Sequence, residues 1–287
     1  MNILVRADSS SHIGLGHIMR DLVLVQQYPN DLITFACQEL PGNIMDQIPY
    51  GIHVLQSNDP KELITLIQML KIDMIVFDHY GINADFEQQV KEQTGVSVFS
   101  LDDTYEHHHC DILLNHNICA NSNRYRGLVP TSCELRCGSA YTLIRDEFKN
   151  EKTFSREKIY DIFIAMGGAD TANLTMDILK TLDTSLRICV VTTTANAHLE
   201  DLKRYVKGQK NISLHVNSHE IAKLLHQSHF SIVTPSVIVH EVLFMETPFV
   251  AIQTASNQDD MVRYLKQHNY NVLKEWTNDS IAQFYHS

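Results

Sequence analysis

A histidine that follows two glycines at the opening of a helical pattern, Gly14-Leu-Gly16-His17, is the residue best placed in this chain to move a proton. An apolar strand lies upstream, followed by Asp8-Ser-Ser-Ser11, and downstream Ile18, Leu22 and Val25 share one helical face. The glycines permit a tight turn, and the start of a helix offers unpaired N–H groups to an anion. The positive end of the helix dipole disfavours an imidazolium, which leaves a neutral imidazole able to accept a proton. An anion-facing loop and a base in one turn suit an enzyme acting on a phosphorylated or nucleotide-bearing substrate. The same residues also fit an ordinary strand-to-helix turn carrying a capping or surface histidine, because Gly-x-Gly is common at such turns.

Other candidates stand at comparable places. Met166-Gly167-Gly168-Ala-Asp170 follows an apolar strand and precedes a helix expected from about residue 171, so its glycines either let a phosphate approach the backbone or form a simple tight turn. Ser236 and Val237 open a further helix after a strand, as an N-cap or a phosphate contact. One turn later Glu241 can accept both hydroxyls of a ribose, or lie exposed on the helix face. Asn257 and Gln258 start the next helix. In the first half, Asp78-His79-Tyr80 ends a strongly apolar strand, the end at which parallel sheets collect ligands. Asp78 or Tyr80 there can touch a sugar, orient His17, or face solvent.

His107-His108-His109-Cys110 is the tempting metal motif, with His12, His79 and His116 as partners. Adjacent histidines on an extended chain point in alternating directions and rarely converge on one ion. There is no His-Glu-x-x-His and no Cys-x-x-Cys. No metal and no cofactor are expected. The six cysteines are read as reduced thiols, Cys37 and Cys189 as small core residues.

These residues need scaffolding, and the chain alternates β-branched runs with helical periods almost throughout. Strands are expected at 3–7, 32–37, 52–55, 74–77, 96–100 and 112–115, with helices near 17–28, 60–71 and 84–93. A polar stretch, 147–158, reads as a linker. Strands at 159–165, 186–192, 212–216, 230–233 and 248–253 follow, with helices at 171–182, 197–207, 219–227, 237–245 and 257–267. The expected fold is α/β, two Rossmann-like domains (1–148 and 158–273) facing across a cleft that can enclose a ligand. A net charge of −11 argues against nucleic-acid binding through a basic face. No apolar run reaches about 18 residues and the N-terminus lacks a signal-peptide profile, so neither a membrane span nor export is expected. The reading is a cytoplasmic monomer.

Together, Asp8-Ser-Ser-Ser, Gly14-x-Gly16-His17-x-x-Arg20-Asp21, Asp78-His79-Tyr80-Gly81, Arg136-Cys-Gly138…Leu143-Ile-Arg145, Met166-Gly-Gly168 and Ser236…Glu241 resemble the UDP-sugar hydrolases of bacterial pseudaminic acid biosynthesis. The resemblance spans about residues 1–273; the tail from Lys274 has no counterpart. It implies the two-domain GT-B fold, and release of 2,4-diacetamido-2,4,6-trideoxy-L-altrose from a UDP-sugar substrate by inverting attack of water. It also implies that the C-terminal domain binds UDP through Gly167, Gly168, Ser236 and Glu241. His17 is then the base, assisted by Asp8, Asp78 or Tyr80. Ser10, Gly16, Arg20, Arg145, Val237, Asn257 and Gln258 complete the expected substrate contacts. A glycosyltransferase of the same fold, with a sugar hydroxyl replacing water, is the nearest alternative.

Overall fold

Strands covered on both faces read as unbroken apolar runs, and here they pair in parallel. The computed structural model describes residues 1–10, 12–277 and 280, so Ser11 of the first motif and the tail residues 278, 279 and 281–287 lie outside the described residues. The chain forms two compact units, Met1–Leu143 and Ile144–Ser287.

The first unit runs β1 (Asn2–Ala7), α1 (Gly16–Leu24), β2 (Leu32–Gln38), β3 (Gly51–Leu55), α2 (Pro60–Leu70), β4 (Met74–Asp78), α3 (Ala84–Thr94), β5 (Ser97–Leu101), β6 (Ile112–Asn115) and β7 (Glu134–Cys137). Its seven parallel strands lie in the order β3-β2-β1-β4-β5-β6-β7. Ile3 and Val5 of β1 pack in one layer with Ile18 and Leu24 of α1. Leu4, facing the other way, packs with Leu63 and Ile67 of α2 and Val90 of α3. Local chemistry sets the helix ends: Asn83 accepts from Phe86 N at 3.0 Å to start α3, and Gly95, at φ +70°, stops it. Strand β7 escaped the sequence reading because it is a four-residue edge strand carrying two charged residues, Glu134 and Arg136, which pair with each other.

The second unit runs α4 (Asp146–Glu151), β8 (Tyr160–Ala165), α5 (Leu174–Thr181), β9 (Ile188–Thr192), α6 (Leu199–Val206), β10 (Ile212–Val216), α7 (Ile221–His226), β11 (Ser228–Val233), α8 (Val237–Phe244), β12 (Phe249–Ile252), α9 (Asp259–Gln267) and β13 (Asn271–Leu273). Its strand order is β10-β9-β8-β11-β12-β13. The stretch read as a linker starts within α4. Phe148 there is fully buried, and Glu151 binds Arg156 at 2.6 Å and His226 at 3.1 Å, which ties the segment to this unit.

Both sheets reverse direction at one point. In the first, β1 leads outward to β2 and β3, whereas β4 starts the run on its other side. In the second, β8 leads to β9 and β10, and β11 starts the opposite run. Loops leaving the carboxyl ends of such neighbouring strands diverge and open a crevice for ligands.

Candidate active site

The start of α1, which follows β1, and the end of β4 meet at the first reversal point and bring His17 and Asp78 together. His17 Nδ1 lies 2.6 Å from Asp78 Oδ1, and both residues are buried. Arg20, one turn further along α1, donates from Nε to Asp78 Oδ2 at 2.5 Å and from Nη2 to Oδ1. Burial opposes ionisation of Asp78, but Arg20 and then His17 more than offset it and hold the carboxyl well below the usual range. An ionised Asp78 assigns the proton of the short contact to Nδ1 of His17. Arg20 Nη2, 3.2 Å from that nitrogen, therefore shares the carboxylate with it rather than binding it. Nε2 of His17 makes no hydrogen bond among the described residues and keeps a lone pair for an incoming proton. A carboxylate thus holds the imidazole in one tautomer, an arrangement chemically able to accept a proton at Nε2.

Arg20 extends the network. Its Nη1 donates to Asp103 Oδ2 at 2.8 Å, and Asp103 Oδ1 accepts from the Tyr80 hydroxyl at 3.0 Å. The Tyr80 ring meets His17 edge-on at 4.8 Å between centroids. Partial burial of its phenol, with the Asp103 charge, pushes Tyr80 up to about 12, so it stays protonated and donating. Asp21 is fully buried, and that burial with the nearby Asp78 charge holds its carboxyl well above the usual range. Burial and the Arg20 charge bring His116 down to about 4. Tyr80 also lines a cavity of about 490 Å³ with Asn83, Asp85, Thr104, Glu106 and His107.

Asp8 does not join this cluster. Its carboxylate accepts from both terminal nitrogens of the fully buried Arg6 at 2.6 and 2.8 Å, from Gln38 N at 2.7 Å and from His79 Nε2 at 3.1 Å. His79 in turn accepts at Nδ1 from Gly81 N at 2.9 Å, and a Cβ on Gly81 would meet that ring at 2.8 Å. Ser10 is likewise committed: its Oγ accepts from Ile13 N at 2.9 Å and His12 N at 3.2 Å, and its backbone bridges Gly14. The first loop therefore spends its amides on itself, while Gly16 faces open space at the start of α1. His108 binds Glu87 at 2.8 Å with His109 N on the same carboxylate, so the histidine run anchors the loop before β6. No group of three metal-binding side chains occurs among the described residues.

In the second unit, the loops after β8 and β11 flank the reversal point. Gly167 has φ +81° and no atom near an added Cβ, and Gly168 O accepts from Thr193 Oγ1 at 2.9 Å. The helix expected from about residue 171 begins at Leu174, because Asp170 and Asn173 adopt left-handed backbone. Asp170 then accepts from Leu174 N at 2.9 Å and Thr175 N at 3.0 Å, so the start of α5 is already capped by a carboxylate and is closed to a phosphate. The start of α8 is different: Ser236 makes no side-chain cap, and Val237 is half exposed. Glu241 is buried, and Arg145 Nε holds its Oε1 at 2.6 Å while Arg145 Nη1 pairs with Glu147 at 2.5 Å. Burial raises the Glu241 carboxyl, with Arg145 opposing. Beyond β12, Gln258 Oε1 accepts from Thr254 N at 2.8 Å and so shapes its own loop, whereas Asn257 is exposed.

Sequence reading missed Asp103 and the Arg6–Asp8 pair. Asp103 was findable, because Leu101-Asp102-Asp103 ends a strand next to β4 just as Asp78 ends β4 itself.

No family model matches the chain. The chain has the GT-B glycosyltransferase fold: over 98% of its length it superposes on 89% of Acinetobacter baumannii MurG with a TM-score of 0.60 at 13% identity. Its whole length superposes on 89% of Anabaena HepE, solved with UDP and glucose, with a TM-score of 0.61 at 10% identity. A Campylobacter jejuni protein, UDP-2,4-diacetamido-2,4,6-trideoxy-beta-L-altropyranose hydrolase, is 44% identical over 272 residues, which are 95% of this chain and 98% of that one. The chain belongs to the family of that UDP-sugar hydrolase.

Proposed function

We propose that this enzyme hydrolyses UDP-2,4-diacetamido-2,4,6-trideoxy-β-L-altropyranose to UDP and the free sugar, in pseudaminic acid biosynthesis. His17 is the general base. Its Nε2 takes a proton from water as that water attacks the anomeric carbon on the face opposite UDP, with inversion. Asp78, paired with Nδ1 at 2.6 Å, stabilises the imidazolium that forms, and this contact is the observation that carries the reading. Arg20 keeps Asp78 ionised, and Tyr80 fixes the ring from its edge.

In the same reading the C-terminal unit binds UDP. The uncapped start of α8, with the Ser236 hydroxyl and the Val237 amide, stabilises the developing diphosphate charge without a metal ion, and Gly167 and Gly168 leave room for it. Glu241, pre-oriented by Arg145, receives the ribose, with Asn257 as a further contact.

Proton NMR of the enzyme with this UDP-sugar, in EDTA and without an acceptor, tests the proposal. The expected result is UDP plus free sugar, appearing first as the anomer opposite to that in the substrate. A substrate that stays intact until a sugar acceptor is added makes the enzyme a transferase; activity lost in EDTA overturns the metal-free route.

A further inference from the structure

Two thiols outside the site lie in contact. Cys110 Sγ and Cys133 Sγ are 3.6 Å apart, and all six cysteines are free thiols. Their backbones are held side by side, because Cys110 leads into β6 and Cys133 into β7, and Glu134 N donates to Asp111 O at 2.8 Å between them. Neighbouring strand positions lie about 5 Å apart, inside the span a disulfide bridges. The two members differ in access: Cys110 is fully buried, while Cys133 is part-exposed.

We propose that Cys110 and Cys133 form a reversible redox site, closed to a disulfide by hydrogen peroxide. Cys133 Sγ attacks one peroxide oxygen; the O–O bond breaks and the departing hydroxide is protonated to water, leaving a sulfenic acid. Cys110 Sγ then attacks Cys133 Sγ, the S–O bond breaks, and the Cys110 thiol proton leaves with the hydroxide as a second water. The two sulfurs lose two electrons together and the peroxide gains them. Two features favour this order. Cys133 is the part-exposed member that peroxide can reach, and its contact with Cys110 lowers its thiol from the usual range. Cys110, held as the thiol, waits in the core as the resolving partner. The site lies at the trailing end of the segment between β5 and β6, which carries Asp103 at its leading end.

The third nearby thiol sharpens the test. Cys137 on β7 packs in the same apolar cluster but forms no sulfur contact with the pair. Intact protein is treated with hydrogen peroxide, alkylated, and digested without reductant for mass spectrometry. The expected result is a loss of two hydrogen masses per chain and a single cross-linked peptide joining 110 to 133, both reversed by dithiothreitol. Cys137→Ser should keep the cross-link. Cys133→Ser and Cys110→Ser should each abolish it, with Cys110→Ser halting oxidation at a sulfenic acid on Cys133 that dimedone traps. Folding of each variant is checked by circular dichroism, and wild-type mapping decides alone if a variant fails to fold. A cross-link through Cys137, or over-oxidation of Cys133 with no 110–133 peptide, overturns the proposal.

Discussion

His17 opens the helix that follows β1 and Asp78 ends β4, on opposite sides of the point where the first sheet reverses, yet Nδ1 and Oδ1 lie 2.6 Å apart. The register explains how: β1 pairs with β4 up to Ala7↔Asp78, so the carboxylate ends its strand beside the strand whose loop leads into α1. The imidazole and the carboxylate that orients it are thus fixed by the strand register and by the helix that follows β1.

Removing the base should separate chemistry from binding. A positioned base contributes ~10²–10⁴-fold in rate, so His17→Ala should lower kcat by that factor while UDP affinity barely changes. Asp78→Asn should fall in the same range, because an amide can donate to Nδ1 and so favours the wrong tautomer. Steady-state turnover and calorimetric titration with UDP check both; near-normal turnover in His17→Ala removes His17 from the mechanism.

In the proposed reaction Asp103, bonded to Arg20 and Tyr80, is a positioning residue. Asp103→Asn should cost about 1 kcal/mol of orientation, or roughly fivefold to tenfold in kcat, with the inhibition constant of UDP unchanged. Tyr80→Phe should give a smaller loss, and the double variant less than the sum of the two, because both touch the Tyr80–Asp103 contact while Asp103 alone also holds Arg20. Fully additive losses would mean that the two residues work independently.

The sequence made the α/β alternation, the reversal-point loops and His17 legible, because apolar period and glycine turns are local signals. Partner choice was not legible. Asp8 and Asp78 are both acids at the ends of apolar strands, yet one meets Arg6, two residues before it, and the other meets Arg20 from helix α1. An arginine inside an apolar strand marked the difference, since a fully buried guanidinium must find a carboxylate nearby. The uncapped start of α8 and the closed start of α5 also looked alike. The left-handed backbone at Asp170 and Asn173, which turns the Asp170 carboxylate onto the first amides of α5, sets them apart.

Asp8 should therefore reveal itself through stability. Taking away one partner of a buried pair leaves the other charge uncompensated, at a cost of about 3–5 kcal/mol. Asp8→Ala should lower the unfolding free energy of the N-terminal unit by that amount in urea, with turnover per folded molecule little affected. A stable variant with turnover reduced a hundredfold would instead return Asp8 to the chemistry.

Stability should also depend on His108. Burial opposes its protonation, but Asp102 and Glu87 more than offset this and bring it to about 9, against 6.5 in the unfolded chain. A pKa raised on folding gives stability that is complete below the unfolded value and is lost as pH rises through the folded one. The contribution, on the order of 3 kcal/mol, should be present at pH 6 and gone by about pH 10. Urea midpoints of wild type and His108→Gln across that range check it: the gap between them should close as pH rises, and parallel curves would contradict the assignment.

Glu241 offers the corresponding separation for the nucleotide. Its Oε1 is taken by Arg145, which leaves Oε2 for a ribose hydroxyl. A hydrogen bond to a charged acceptor is worth about 1.5–3 kcal/mol, so Glu241→Gln should weaken UDP binding roughly tenfold to a hundredfold. The rate from the bound complex should change far less, because the contact is made equally in ground and transition states. Deoxyuridine diphosphate supplies the control. It lacks the 2′-hydroxyl, so it should bind wild type weakly and lose little further affinity in the variant. Equal losses for UDP and its deoxy form would show that Glu241 shapes the start of α8 instead of holding the ribose.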